Sequence, residues 1–132
     1  MPDRMMSVGV MGATGLVGTE VLRILAERRF RVSELRVYAS ERSRGRKLAF
    51  AGGEVTCDVL RPGCFDGLDL VIVDVDEPIS EAWTPHAAAS GARVIDNSSA
   101  FRMDPDVPLV IAEVNGDDLR SLPKGIASCP HC

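Results

Sequence analysis

A glycine-rich segment near the start of the chain has the residue types and spacing of an anion-binding turn. Gly12, Gly15 and Gly18 recur every three residues, between an apolar run at residues 7–11 and an amphipathic stretch at residues 15–28. The first glycine permits a tight turn, the second lets backbone N–H groups approach a diphosphate, and the third lets the helix pack closely. The start of that helix adds free donors and partial positive charge. This context predicts a dinucleotide-binding turn, and the alternative is a turn kept only for helix–sheet packing.

The end of the second expected strand, residues 35–39, carries groups suited to a ribose 2′-phosphate. Ser40, Arg42 and Ser43 supply two hydroxyls and a guanidinium, and a guanidinium binds phosphate through paired hydrogen bonds. NAD sites instead place an acidic side chain near this strand end, where it holds the ribose 2′-hydroxyl. The segment therefore favours NADP, while Glu41 leaves NAD open. The alternative for these basic residues is a solvated loop.

The last residues of the sequence contain two cysteines with two residues between them. A thiolate is a nucleophile, and Cys132 lies just past an expected strand end, where open α/β sheets place ligands. The Cys-x-x-Cys spacing created by Cys129 also occurs in redox pairs and metal sites. Zinc would need His131 and a fourth ligand, so no metal site is assigned. Cys57 and Cys64 are expected to be ordinary small residues.

The elements that position these residues alternate between β-rich runs and helical stretches, which is typical of parallel sheets with right-handed crossovers. Strands are expected at residues 7–11, 35–39, 68–75, 94–95, 108–111 and 125–127, a hairpin at 47–50 and 54–59, and helices at 15–28 and 80–90. The nearly continuous apolar run at 68–75 suits a strand covered on both faces. The pattern predicts one doubly wound, Rossmann-like α/β domain over residues 1–132.

Composition excludes several classes of protein. The 132 residues are 45% hydrophobic and 26% charged, which is typical of a soluble domain with a proper core. Fifteen Lys and Arg against nineteen Asp and Glu give a net charge of −4, so neither nucleic acid nor an anionic membrane is an expected partner. No apolar run approaches the roughly 20 residues of a membrane helix. Without an export signal in residues 1–9, the four cysteines are expected to be reduced and the protein cytoplasmic.

Four segments together resemble the cofactor-binding domain of the aspartate-semialdehyde dehydrogenase family: residues 12–18, 39–47, 94–110 and 113–115. The run at 94–110, which begins Val-Ile-Asp-Asn-Ser-Ser-Ala-Phe-Arg, is the most specific. The resemblance covers residues 8–132. It implies NADPH-dependent reduction of β-aspartyl phosphate to the semialdehyde, on the path to lysine, methionine and threonine. It also implies that the catalytic histidine and a dimer-forming second domain lie beyond these residues, so the chain alone is expected to be inactive.

The resemblance assigns roles to individual residues. It gives the cofactor phosphates to Gly12, Thr14, Gly15, Leu16 and Val17, the 2′-phosphate to Ser40, Arg42 and Ser43, the substrate phosphate to Arg102 with Asn97 and Ser98 nearby, and the nucleophilic thiol to Cys132. Arg102 follows a strand end, where open α/β sheets place ligands. An ion pair with Asp104 or Asp106 is the alternative for this guanidinium.

Two departures from the family's pattern keep other interpretations open. Asp74, Asp76 and Glu77 replace a small glycine-containing loop that touches the cofactor. These acids either repel a dinucleotide, or turn to solvent or cap the next helix. Cys129 and His131 replace two asparagines beside the nucleophile. The alternatives are a non-catalytic relative that acts as a binding or regulatory module, and a thiol or metal protein on the same scaffold. A missing lobe would expose apolar surface, so a homo-oligomer or a partner chain is expected.

Overall fold

The apolar runs form strands of one sheet in the computed structural model, which describes residues 5–28, 31–110 and 122–129. The strands are β1 (Met6–Met11), β2 (Val32–Tyr38), β3 (Lys47–Phe50), β4 (Gly53–Asp58), β5 (Leu70–Val73), β6 (Arg93–Asp96) and β7 (Ile126–Ser128). They lie in the order β3-β4-β2-β1-β5-β6-β7. Every neighbouring pair is parallel except the β3–β4 hairpin. The mostly parallel sheet predicted from the sequence is confirmed.

The strand order reverses direction at β1. The chain passes from β1 to β2 on one side, and β5 later pairs with β1 on the other side. In open α/β sheets, ligands bind outside the carboxyl ends of the strands at such a switch point. The residues that follow the two strands lie close together here, since the Asp74 amide donates to the carbonyl of Met11 at 3.0 Å. The topology therefore places the glycine turn and the acidic segment on either side of one crevice.

Two helices cover opposite faces of the sheet. Helix α1 (Leu16–Glu27) buries Leu22 and Leu25 against one face, and helix α2 (Glu77–Ala89) buries Ala87 against the other. Strand β5 contributes to both cores: Val71 and Val73 lie on the α2 side, and Leu70 and Ile72 on the α1 side. The doubly wound arrangement and the two-sided burial of this strand are thereby confirmed.

The element boundaries differ from the expectations at a few places. Strand β2 begins at Val32 rather than residue 35, and β5 is shorter than the run at 68–75. Helix α2 begins at Glu77 rather than residue 80, with a proline in its first turn, where a missing N–H breaks no helical bond. Residues 108–111 form no full strand in their described part, where a single parallel bridge joins Leu109 to Ser128. In the described ranges, no helix has the length and apolar character needed to cross a bilayer.

Candidate functional site

The glycine turn after β1 is built so closely that two of its glycines admit no side chain. Gly12 has φ +83°, and a Cβ there would lie 1.9 Å from the carbonyl oxygen of Asp74. A Cβ on Gly18 would lie 2.0 Å from the carbonyl oxygen of Gly12. The Gly12 amide also donates to the carbonyl of Tyr38 at 3.0 Å. Gly12 thus makes the tight turn and Gly18 the close approach of α1, in the positions that the sequence assigned to them.

Gly15 differs from these two because a Cβ there would make one tight contact rather than collide with the backbone. It is the N-cap of α1, its φ is −74°, and the nearest atom to a Cβ there would be the Gly12 carbonyl oxygen at 3.3 Å. The first turn of α1 contains no acidic residue. The Thr19 hydroxyl donates to the carbonyls of Gly15 and Leu16, both at 3.0 Å, and no side chain caps the free amides of the helix start. The N-terminus of α1 is therefore available to an anion.

A cleft of about 320 Å³ lies beside this turn. It is lined by three sets of residues: Gly12, Thr14 and Gly15 from the turn, Tyr38, Ala39, Ser40 and Leu60 from the β2 side, and Asp74, Val75, Asp76 and Ile79 from the segment after β5. The backbone of the glycine turn lies at one end of the cleft. Apolar side chains form part of its wall and suit packing against a flat ring. Four of the residues assigned to cofactor binding thus share one cavity. Leu16 and Val17 open α1 next to it, with the Leu16 side chain exposed.

Tyr38 lines this cleft, and its hydroxyl is engaged in the core of the protein. The ring is buried, it packs edge-on against Phe65, and the hydroxyl donates to the carbonyl of Cys64. Burial raises the pKa of Tyr38 to about 12. The side chain therefore acts as a wall of the cleft and a support for the turn.

The segment assigned to the 2′-phosphate forms a short 3₁₀ turn at the end of β2. The turn spans Glu41–Ser43, and the Ser43 amide donates to the carbonyl of Ser40 at 2.9 Å. The carboxylate of Glu41 pairs with the Arg44 guanidinium at 3.2 Å. The Arg42 side chain is exposed. Glu41, the acid that kept NAD open as the cofactor, is thus paired with Arg44. Ser40, in contrast, lines the cleft itself.

The three acids opposite the glycine turn do not behave alike. Asp74 and Asp76 line the cleft, and Asp74 accepts a long hydrogen bond of 3.5 Å from the Asn97 amide group. Asp76 occupies the N-cap position of α2, yet its carboxylate makes no capping hydrogen bond. Glu77 accepts a hydrogen bond from the Ser99 hydroxyl at 2.8 Å. Asp76 therefore lies where a capping residue is expected, but its side chain does not cap the helix.

Arg102 lies at the carboxyl ends of β6 and β7, held by backbone carbonyls. Its Nε donates to the carbonyl of Cys129 at 2.8 Å and its Nη2 to the carbonyl of Asn97 at 3.3 Å. Asp104, one of the two acids considered as its ion partner, bonds to Lys124 at 2.7 Å. That ammonium lowers the pKa of Asp104. The guanidinium and Asn97 thus lie together at the ligand-binding edge of the sheet.

Asp96 is a residue of this site that the sequence interpretation missed. It is fully buried at the end of β6, and its carboxylate accepts hydrogen bonds from the Ser98 amide at 2.9 Å, the Ser98 hydroxyl at 3.0 Å and the Ser80 hydroxyl at 2.9 Å. The sequence signal that could have revealed it is an acidic residue at the end of the apolar pair Val94-Ile95. A carboxylate buried at such a strand end needs several hydrogen-bond donors around it.

The predicted nucleophile, Cys132, lies outside the described residues, as do His131 and residues 113–115. Cys129 is described: it is half-buried and reduced, and its amide donates to the carbonyl of Asp96 at 2.9 Å. Burial and the Asp96 carboxylate raise the pKa of the Cys129 thiol, against an opposing effect of Arg102. Within residues 5–28, 31–110 and 122–129, no three His, Cys, Asp or Glu side chains come together as a metal site.

Cys57 and Cys64 are reduced and buried in the two cores. Burial raises the pKa of both thiols. They are the small core residues that the sequence predicted.

A parallel sheet with a reversal at β1, a tight glycine-rich turn and an uncapped helix start are the features of an NAD(P)-binding domain of the Rossmann-like class. Residues 7–122 match the family model described as semialdehyde dehydrogenase, NAD binding domain, and the chain belongs to that family.

The similar proteins agree with this family. The chain is 48% identical over 127 residues to aspartate-semialdehyde dehydrogenase of Aquifex aeolicus, covering 95% of the chain and 37% of that protein. It is 42% identical over 131 residues to the enzyme of Prochlorococcus marinus, covering 99% of the chain and 38% of that protein. The crystal structure of aspartate semialdehyde dehydrogenase II from Vibrio cholerae complexed with ASA has a TM-score of 0.92 at 37% identity, over 96% of this chain and 42% of that one. The chain thus spans well under half the length of its relatives.

Proposed function

We propose that this chain is the NADP-binding part of an aspartate-semialdehyde dehydrogenase-type oxidoreductase, which reduces an acyl phosphate such as β-aspartyl phosphate to the semialdehyde. The observation that carries the proposal is the glycine turn at the sheet's switch point. Gly12 and Gly18 leave no room for a side chain, and Gly15, at the start of α1, lines a cleft. Such a helix start suits a dinucleotide diphosphate.

The preference for NADP over NAD is supported by the pairing in the turn after β2. An acid in this region serves NAD by accepting a hydrogen bond from the ribose 2′-hydroxyl. Here the Glu41 carboxylate pairs with Arg44, while Ser40, Ser43 and the exposed guanidinium of Arg42 remain suited to a 2′-phosphate. A bound nicotinamide cofactor would supply the hydride for the reduction.

The substrate side of the proposal uses the residues at the ends of β6 and β7. Arg102 would bind the phosphate of the acyl phosphate, with Asn97 beside it. The Cys132 thiolate would attack the acyl carbon, forming a C–S bond as the C–O bond to phosphate breaks. Hydride transfer to the thioester carbon would then release the aldehyde and return the thiolate. A thiol needs a base or a cation to be ionised near neutral pH, so we propose that turnover requires further residues from a second lobe.

The partners and location follow from the same proposal. Leu16 and Met103 expose most of their surface at the carboxyl edge of the sheet, at 90% and 93% respectively. A second lobe, a second copy or a partner chain would cover them. A small-molecule acyl phosphate would be the substrate, neither nucleic acid nor membrane would be a partner, and the protein would act in the cytoplasm.

The test is a calorimetric titration of the chain with NADPH and with NADH. We expect NADPH to bind at micromolar concentration and more tightly than NADH. Gly15→Asp adds a favourable helix cap but places a carboxylate where the diphosphate would lie. It should lower NADPH affinity more than about tenfold without lowering the free energy of unfolding, and Gly15→Ala, with the same Cβ and no charge, is the matched control. Unchanged binding in Gly15→Asp would remove the turn from the site.

A second candidate, a non-catalytic binding or regulatory module, is favoured by one observation. Asp74 and Asp76 both line the cleft and would face an anionic cofactor. This candidate expects no NADPH binding by the natural chain, and binding once both carboxylates are neutralised. The thiol-protein alternative receives less support, because the pKa of the half-buried Cys129 is raised rather than lowered.

A further inference from the structure

Asp96 closes β6 with a carboxylate whose two oxygens are both used. Oδ1 accepts from the Ser98 amide at 2.9 Å, and Oδ2 accepts from the Ser98 hydroxyl at 3.0 Å and the Ser80 hydroxyl at 2.9 Å. The residue is fully buried. A carboxylate in such a position is retained only when donors surround it, because burying an unpaired charge is strongly unfavourable. An apolar residue of similar size would leave these three donors without their acceptor.

The hydrogen bonds of Asp96 belong to a longer chain that runs from α2 into the turn carrying Arg102. Because the Ser80 hydroxyl donates to Asp96, the Thr84 hydroxyl, 2.8 Å from Ser80, must donate to Ser80. On the other side, the Ser98 hydroxyl donates to Asp96 and accepts from the Ala100 amide at 3.2 Å. The carboxylate therefore joins the buried face of α2 to the first half of the turn at residues 97–102.

The backbone of the same residue supports the second half of this turn. The carbonyl of Asp96 accepts from the Cys129 amide at 2.9 Å, and the carbonyl of Cys129 accepts from Arg102 Nε at 2.8 Å. Arg102 Nη2 in turn reaches the carbonyl of Asn97, the residue that follows Asp96. These two hydrogen bonds of the guanidinium thus lead back to the end of β6.

The role of the Asp96 carboxylate is not to activate the neighbouring thiol of Cys129. Burial raises the pKa of Cys129, and the charge of Asp96 adds to this effect, so the carboxylate disfavours a thiolate there. The contacts that it does make are with the turn and with α2.

We propose that Asp96 is a positioning residue that fixes the turn at residues 97–102, so that the Arg102 guanidinium is held ready for the phosphate of the substrate. The inference rests on the proposed function, in which Arg102 binds that phosphate. Asp96 does not touch the ligand, and it acts through Ser98 and through the backbone that carries Asn97.

The experiment measures binding of inorganic phosphate to the full 132-residue chain by ¹H–¹⁵N NMR. The signals followed are the Ala100 amide and the Arg102 Nε–H group, and Arg102→Ala establishes which shifts come from that guanidinium. Asp96→Ala removes all three acceptor contacts. Asp96→Asn can keep one oxygen toward the Ser98 amide and donate to the two hydroxyls. The matched control is Val94→Ala, a fully buried position two residues earlier on the same face of β6, which weakens the core but removes none of the hydrogen bonds of Asp96, Ser98 or Arg102.

We expect Asp96→Ala to weaken phosphate binding about tenfold and to shift both signals, since each lost hydrogen bond changes affinity severalfold. Asp96→Asn should retain binding to within about threefold, and Val94→Ala should leave it unchanged despite a lower stability. Phosphate affinity in Asp96→Ala equal to that of the natural chain, with both signals unmoved, would overturn the inference and leave the proposed role of Arg102 intact.

If Arg102→Ala responds to phosphate as the natural chain does, the phosphate site of the proposed function fails, and the positioning role falls with it. If Asp96→Ala does not fold, Ser80→Ala is used, because it removes one contact to Asp96 from the helix side and leaves the turn's own residues intact. It should weaken phosphate binding about threefold, and an unchanged affinity would overturn the inference.

Discussion

The two walls of the cleft, the glycine turn and the acidic segment after β5, differ in the sign of the charge that they present. The turn after β1 contains glycines at 12, 15 and 18 and presents the start of a helix. The wall after β5 presents the carboxylates of Asp74 and Asp76. The first wall attracts an anion and the second repels one, yet they touch, since the Asp74 carbonyl lies where a Cβ on Gly12 would be. The glycines therefore determine whether the cleft has a shape that fits a dinucleotide. The acids determine how strongly the cleft repels the negative charges of a dinucleotide.

The largest effect is expected on the glycine side. Gly12→Ala combines a positive φ with a collision against the backbone of Asp74, and it should lower the free energy of unfolding by about 4 kcal/mol or more, measured by urea denaturation. Gly45→Ala is the matched control, because Gly45 has the same φ of +83° and no atom within 4 Å of its Cβ position. It should lower that free energy by only about 1 kcal/mol. Equal losses in the two variants would mean that the close contact between the walls contributes nothing.

The sequence predicted the glycine wall well because its signals are local. A strand, three glycines and an amphipathic helix follow one another directly, and Gly12 makes the tight turn and Gly18 the close helix approach expected of them. The other wall was harder, since the start of α2 at Glu77 and Pro78 resembles a loop when its alanine-rich body is taken as the helix. The Asp96 contacts were missed because the Ser80 donor comes from a different element, 16 residues earlier in the chain. No local pattern marks a partner that tertiary packing alone brings near.

An intermediate effect is expected on the acidic side. Asp74→Asn with Asp76→Asn removes two negative charges that line the cleft, and asparagine retains the helix-capping preference at 76. Each removed charge should raise NADPH affinity by roughly 0.5–1 kcal/mol in a solvated site, so the double variant should bind about fivefold or more tightly. Calorimetry at two salt concentrations provides the measurement, and the gain should shrink at high salt.

Asp66→Asn is the control for this charge effect, since Asp66 is exposed and does not line the cleft. It should leave NADPH affinity unchanged. A double variant that binds no better than the natural chain would show that Asp74 and Asp76 do not oppose the cofactor, and the contrast between the two walls would then be one of shape alone.

The smallest effect is expected where the glycine wall meets the end of β2. Arg44→Ala releases the Glu41 carboxylate, which should lower the affinity for NADPH and raise that for NADH. The pair is exposed, with 61% of the Arg44 side chain and 74% of the Glu41 side chain accessible, so the ratio of the two affinities should change only about threefold. Arg46→Ala removes the same charge from the same loop without freeing Glu41. In a Glu41→Gln background, Arg44→Ala should no longer raise NADH affinity, and if it still does, the engaged acid is not what separates the two cofactors.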